Sequence, residues 1–308
     1  MDVSWLTIGI VLLALVVFGV AVFLLVTNPS LSRNWSPDQF LMPSVEFIKD
    51  DSKHGTVRIK NIRNIHYRTT RDYDLRYYDR EIAVDDVQSV WLAIAPFTGF
   101  GAAHAFISFG LADGTYLAVS IEIRRRMGKH FDPVKAFFRQ FEIMYVLSDE
   151  RDVIGVRTNI IKYNVRLYPV HTSKDTIRAV FCDILIRADK LGKEPEFYNT
   201  LWNNCATNIV GHARKFAHRP IPAWNPSYLF PDFLDRLAYR LSILKTDLDY
   251  KEAKKFFNIT AKAQSVGEGD DFSKAIRQGL LPEDSLTTPE SQLYETDTRQ
   301  PARQSMTN

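Results

Sequence analysis

Residues 5–26, WLTIGIVLLALVVFGVAVFLLV, form an unbroken apolar run with no charged position. As a helix the run spans roughly 33 Å, against a bilayer core of about 30 Å, so it predicts one transmembrane helix. No basic stretch precedes it and no small-residue cleavage site follows, which favours a retained anchor over a cleaved signal peptide. Residues 27–55 are polar, contain Pro29, Pro37 and Pro43, and read as a tether. Beyond them the polarity begins to alternate. TVRIKNIRNIHYRT (56–69) and VQSVWLAIAPF (87–97) read as strands. HAFISFGL (104–111) and TYLAVSIEIRR (115–125) flank ADG, a hairpin signal with Gly114 at the left-handed position. A three-residue loop sets His104 opposite Glu122, whereas a two-residue turn sets Ile123 there.

The period then lengthens. PVKAFFRQFEIMY (133–145) predicts a helix with Phe137, Phe138, Phe141 and Met144 on its apolar face. Residues 153–170 read as strands. SKDTIRAVFCDILIRADKL (173–191) predicts an amphipathic helix capped by Ser173, ended by Gly192, and buried along Ile177, Val180, Phe181, Ile184, Ala188 and Leu191. After Asn203 and Asn204, which are good caps, Ile209, Val210, Ala213 and Phe216 recur at helical spacing. Residues 218–237, with four prolines and several aromatics, predict an irregular segment laid against the domain; shorter helices follow at 232–243 and 251–263. The polar stretch 265–308 reads as a disordered tail. The expected division is an anchor (1–27), a tether (28–55), a folded domain (56–264) and the tail.

Composition changes this picture little. A net charge of +3 from 39 basic and 36 acidic residues gives no case for nucleic acid. Two cysteines cannot build a disulfide framework, and no Cys/His cluster has zinc spacing, so neither metal nor cofactor is expected. The cysteines differ in context. Cys182 flanks the buried stripe of a helix and reads as an inert core thiol. Cys205 stands at the start of a helix, where free N–H groups and the dipole favour a thiolate. Such a nucleophile needs a base, and His104 is the best candidate; His212 lies on the same helix as Cys205, two turns on, and the other histidines fall in loops and turns.

HAFISFGLADGTYLAVSIEIRR, FRQFEIMYVLSDERD and FYNTLWNNCATN, in this order and spacing, resemble the Lnb N-terminal periplasmic domain family, as do NIRNIHYRTT and RLYPV. The likeness covers roughly residues 35–240. NNCATN stands where NNCTTN-like sequences are usual, and Trp202 where a smaller polar residue is usual. The resemblance implies an α+β fold: a circularly permuted papain-like (NlpC-type) domain with an antiparallel sheet and packed helices, its histidine strand preceding its cysteine helix. It implies Cys205 as nucleophile and His104 as base. Glu122 is the candidate for orienting the imidazole, with Ser120 the weaker alternative; Tyr198, Asn199 and Asn204 shape the site or cap the helix, and the Cys205 N–H is a natural oxyanion donor. The implied function is a membrane-anchored acyltransferase passing lipoprotein or lipid acyl groups through a thioester. A thiol amidase or peptidase on envelope peptide or peptidoglycan, and a non-catalytic envelope binding module, are the alternatives. The bilayer and a lipid or lipoprotein substrate are the implied partners. The location is the inner membrane, single-pass with the domain in the periplasm, against the single Arg33 after the apolar run, since long segments translocate largely regardless of charge.

Overall fold

The computed structural model describes residues 5–49, 53–97, 99–267, 269 and 271–280, with the side chains of residues 21 and 24–26 left out. Ten strands appear in chain order: β1 (Ser44–Ile48), β2 (Thr56–Arg63), β3 (His66–Tyr67), β4 (Tyr73–Asp74), β5 (Tyr77–Ala83), β6 (Val87–Pro96), β7 (Ala103–Leu111), β8 (Tyr116–Arg124), β9 (Glu142–Ser148) and β10 (Arg166–Pro169). The helices are α1 (Trp5–Val26), α2 (Pro133–Phe137), α3 (Lys174–Lys193), α4 (Cys205–Phe216), α5 (Leu234–Arg240), α6 (Tyr250–Phe256), α7 (Thr260–Val266) and α8 (Phe272–Ala275). Eight strands form one sheet in the order β1-β2-β9-β8-β7-β6-β10, with β5 also paired to β2. The fold is α+β as expected, but the sheet is mixed: β2 and β9 meet in parallel at Arg63 and Ser148.

β7 lies at the centre and is buried at every position. Alternation divides its side chains between two layers. Phe109 meets Phe181 of α3 edge-on, their centroids 5.1 Å apart, so α3 covers the face of Ala105, Ile107 and Phe109. On the other face Ser108 donates to Glu150 at 2.5 Å, and the Arg157 guanidinium lies 5.2 Å from the Phe106 ring. The β7–β8 hairpin has the three-residue register: Leu111 N–H donates to the Thr115 carbonyl at 2.9 Å, Phe106 pairs with Ser120, and Gly114 has φ 80°. Continuing that register puts His104 opposite Glu122.

Several expectations are corrected. Residues 28–55 are not a free tether. Trp35, Asp38 and Gln39 are buried, and β1 pairs along the edge of β2. The helix expected over 133–145 stops at Phe137, and Phe141 and Met144 enter or flank β9, because pairing with β8 outweighs the helical period of four apolar residues. Residues 151–160 are a π-helix, not a strand. Its β-branched residues suggest a strand, but buried Asp152 fixes the turn by accepting from Arg63 (2.7 and 2.9 Å) and the Ile65 N–H (2.9 Å). Helix α3 runs through Gly192 to Lys193, and the single helix expected at 251–263 is two. The tail expected from 265 is packed as far as 280: Phe272, Ile276 and Leu280 are buried, and Arg277 forms a buried two-pronged pair with Glu150 at 2.6 and 2.7 Å. Residues 281–308 lie outside the described residues. α1 has 22 residues with no acidic residue in its first turn and no basic one in its last. Among the described residues no helix is long and apolar enough to cross a membrane.

Candidate functional site

Asn204 caps α4. Its side chain accepts from the Thr207 N–H at 2.9 Å, and the Thr207 hydroxyl accepts from the Asn204 N–H at 2.8 Å. The Asn204 amide also donates to the carbonyls of Thr200 and Tyr228, at 2.7 and 3.0 Å. Cys205 is therefore the first residue of a tightly fixed helix and is 4% exposed. Its sulfur faces the main-chain N–H groups of Ala105, Ala206 and Cys205 itself.

The presence of Ala105 has a cause in the sheet. Since Leu111 turns its N–H toward β8, Ala105 does the same by alternation. Yet the β7–β8 ladder ends at Phe106–Ser120. The strands part there, and an N–H that a longer ladder would have used faces the thiol instead.

His104 precedes Ala105 in β7, and by alternation its side chain lies on the other face of the strand from that of Ala105. Its Nε2 is 2.7 Å from the Ser120 hydroxyl, and Ser120 donates to Glu122 Oε1 at 2.8 Å. Because the single hydroxyl proton goes to the carboxylate, Ser120 accepts from His104, so Nε2 carries the ring proton and Nδ1 keeps its lone pair. Glu122 is held in turn by Arg157 Nη2 and Gln39 Nε2, each at 3.0 Å. Ser120 and Glu122, two residues apart on β8, share a face, and the register brings both beneath His104. The orienting group is thus a serine–glutamate relay: Ser120, the weaker sequence candidate, touches the ring, and Glu122 acts through it. No hydrogen bond joins His104 to Cys205 among the described residues.

The electrostatics describe a neutral resting pair. Burial pushes the Cys205 thiol up, opposed by the three N–H groups and the Arg157 charge. Burial, helped by Arg157 and opposed by Glu122, pushes His104 down to about 3. Burial would raise the Glu122 carboxyl, but Arg157, Arg63, His104 and the Ser120 hydroxyl together hold it well below the usual range. With the imidazole pushed down and the thiol pushed up, the two rest without a standing ion pair.

The remaining candidates separate by role. Tyr198 is buried beside Cys205, and burial, with the Cys205 charge and against the Cys205 N–H, pushes its hydroxyl up. Asn199 points away from the thiol: its amide donates to the Phe137 carbonyl at 3.1 Å and its carbonyl accepts from the Leu201 N–H at 2.8 Å, which shapes the loop before α4. Cys182 is a free, half-buried thiol pushed up by burial. His212 is clamped between Asp183 (2.6 Å) and the Tyr145 hydroxyl (2.8 Å). Sequence reasoning missed Arg157 and Gln39. Arg157 was hidden by the strand reading of the π-helix, and Gln39 by the tether reading; neither had a local signal.

A cavity of about 670 Å³ opens one turn along α4 from Cys205, between Ile209, Val210 and Ala213, Leu92 and Ile107 of the sheet, and Ile177 and Val180 of α3. The irregular segment contributes residues 218–221 to its wall, while Phe100 packs against Phe230 and Phe233. Among the described residues no group of His, Cys, Asp and Glu has the arrangement of a metal site.

The family model of the Lnb N-terminal periplasmic domain matches residues 73–234, more than half of the chain and the stretch that carries His104, Ser120, Glu122, Arg157 and Cys205. No curated protein and no solved structure matches.

Proposed function

The chain belongs to the Lnb N-terminal periplasmic domain family, and from that premise we propose a membrane-anchored, cysteine-dependent acyltransferase acting on lipoprotein or lipid acyl groups. A periplasmic domain lies outside the cytoplasm. The observation that carries the reading is the relay Nε2–H to Ser120 to Glu122, which leaves the Nδ1 lone pair of His104 available one residue from the peptide unit facing Cys205. The fold is read as a permuted papain-like arrangement because the histidine strand precedes the cysteine helix.

In the first half-reaction His104 Nδ1 takes the thiol proton as the sulfur attacks an acyl ester carbonyl. The C–O bond breaks, the imidazolium returns the proton to the leaving alkoxide, and a thioester remains on Cys205. An amine then attacks the thioester, gives its proton to His104, and leaves as the amide; the imidazolium reprotonates the thiolate. The Ala105 and Ala206 N–H groups are the fixed donors nearest the reacting sulfur. The apolar cavity beside Ile209 suits an acyl chain attached at Cys205, since each methylene moved from water is worth about 0.8 kcal/mol. For the anchor the support is the sequence alone, the uncharged apolar run of residues 5–26.

The test is to supply the full chain in detergent with a diacyl phospholipid and an amine-terminated lipopeptide, or with muropeptides, and to analyse products by mass. Appearance of lyso-lipid with an equal amount of N-acylated peptide, lost in Cys205→Ser, is expected. Cleaved muropeptide with lipid untouched would replace transfer by peptide hydrolysis.

A further inference from the structure

The loop that leads from β8 into β9 carries an exposed apolar surface that the reaction itself does not require. Met127, Phe131, Val134 and Phe138 are 52%, 47%, 63% and 39% exposed, and Leu201 and Trp202 of the loop before α4 are 42% and 66% exposed. The two loops form one surface. The Thr200 hydroxyl donates to the Pro133 carbonyl at 2.8 Å, Asn199 donates to the Phe137 carbonyl at 3.1 Å, and the Phe137 and Trp202 rings meet edge-on at 6.1 Å. Contiguous exposed aromatics of this kind mark an interaction surface.

Two further observations identify the occupant. First, the surface is basic. Between 125 and 139 the sequence holds Arg125, Arg126, Lys129, Lys135 and Arg139 against Asp132; Arg125 also pairs with Asp38 and Arg126 faces Glu142 at 3.8 Å, so the loop keeps a net positive charge after these pairings. Second, the root of the loop is bonded to the segment that follows α1. Asn28, two residues beyond α1, accepts from Arg33, whose Nε donates to Glu142 at 2.6 Å. The Ser30 N–H also donates to Glu142; the Met127 N–H donates to the Asn34 carbonyl at 2.8 Å, and the Ser36 N–H to the Arg125 carbonyl at 2.9 Å. The exit of the apolar helix is thereby stitched to the root of the exposed loop.

We propose that the 127–138 loop together with Leu201 and Trp202 docks onto the surface of a bilayer bearing anionic headgroups, and holds the thiol site at that surface. The proposal rests on α1 being the anchor. Aromatic and aliphatic tips enter the interfacial zone while the basic residues meet phosphates. The patch lies one ring from the nucleophile: Phe131 meets Tyr198 edge-on at 6.4 Å, and the Tyr198 hydroxyl faces the Cys205 N–H. Docking of this patch brings the N-terminal end of α4, and Cys205 with it, close to the lipid.

The experiment uses the full chain in the Cys182→Ser, Cys205→Ser background, reconstituted in phosphatidylcholine vesicles with or without phosphatidylglycerol. An environment-sensitive fluorophore is placed at Val134→Cys, or at Ala112→Cys in the hairpin at the far end of β8. Nitroxide-bearing lipids act as quenchers. The expected result is quenching several-fold stronger at 134 than at 112, increased by phosphatidylglycerol and lost when Phe138→Glu and Trp202→Glu are added. Equal quenching at both positions in anionic vesicles would overturn the proposal and leave the patch to a protein partner. Flotation of the same samples reports the anchor separately. A chain that fails to float yet shows quenching at 134 keeps the docking surface and removes the anchor; a chain that neither floats nor shows quenching removes both.

Discussion

A serine stands between His104 and Glu122. Ser120 accepts from His104 and donates to Glu122, so a single hydroxyl fixes the ring tautomer and transmits the negative charge. Ser120→Ala is expected to lower kcat by about 10²-fold with little change in KM, and Ser120→Thr to restore much of it; steady-state kinetics of the two variants check this, and unchanged kcat in the alanine variant would remove the relay from the mechanism. The thiol makes a second prediction. Since burial raises Cys205, its alkylation rate should keep rising with pH beyond the ordinary thiol value of about 8.5. A plateau near pH 6, read by iodoacetamide labelling and mass, would indicate a standing ion pair instead. The third concerns His104 and stability. Its folded value, about 3, lies below its ordinary 6.5. Between those values the unfolded chain binds a proton that the buried ring refuses. Stability is therefore complete above pH 6.5 and falls as pH drops toward 3, by at most about 1.4 kcal/mol per pH unit from this group. Urea midpoints at pH 7 and pH 5 should differ less in His104→Asn than in the wild type; the same difference in both would contradict the assignment.

At the scale of elements, local pattern and long-range bonding parted company in specific places. The β7–β8 hairpin was legible because ADG marks the turn, but its register stayed open between two loop lengths until Leu111 was found bonded to Thr115. The capped start of α4 and the stripe of α3 were legible for the same reason: caps and 3.6-residue periods are local. The π-helix was not, since what holds Arg151–Ile160 is Asp152 bonded to Arg63, almost ninety residues back in the chain. The segment before β1 was not either. Its burial rests on single residues, with Trp35 under the Arg124 guanidinium at 4.3 Å and Gln39 on Glu122. Trp35→Ala is expected to cost about 3–5 kcal/mol by urea unfolding; a loss within about 0.5 kcal/mol would return this stretch to a tether. The chain after 265 was misjudged because its few apolar residues, Phe272, Ile276 and Leu280, pack beside one buried ion pair. Glu150→Ala strands Arg277 without its partner and should destabilise by a similar amount, about 3–5 kcal/mol.

For the whole molecule, the sequence carried the candidate site further than it carried the architecture. The family was readable from its motifs, and those motifs hold Cys205 and His104, the proposed nucleophile and base. Arg157 and Gln39, which hold Glu122 from two distant segments, became visible only when the chain closed on itself. The proposed function joins three parts: an apolar helix, a segment after it that reaches the candidate site through Gln39, and an exposed apolar loop of net positive charge. Their common claim is that Cys205 carries an acyl group with His104 as its base. Intact-mass measurement of the full chain after exposure to an activated fatty thioester tests it most directly, on wild type and on Cys205→Ser, Cys182→Ser and His104→Ala. One acyl adduct, absent in Cys205→Ser, much slower in His104→Ala and kept in Cys182→Ser, is the predicted result. No adduct, or an adduct that follows Cys182, would contradict the account.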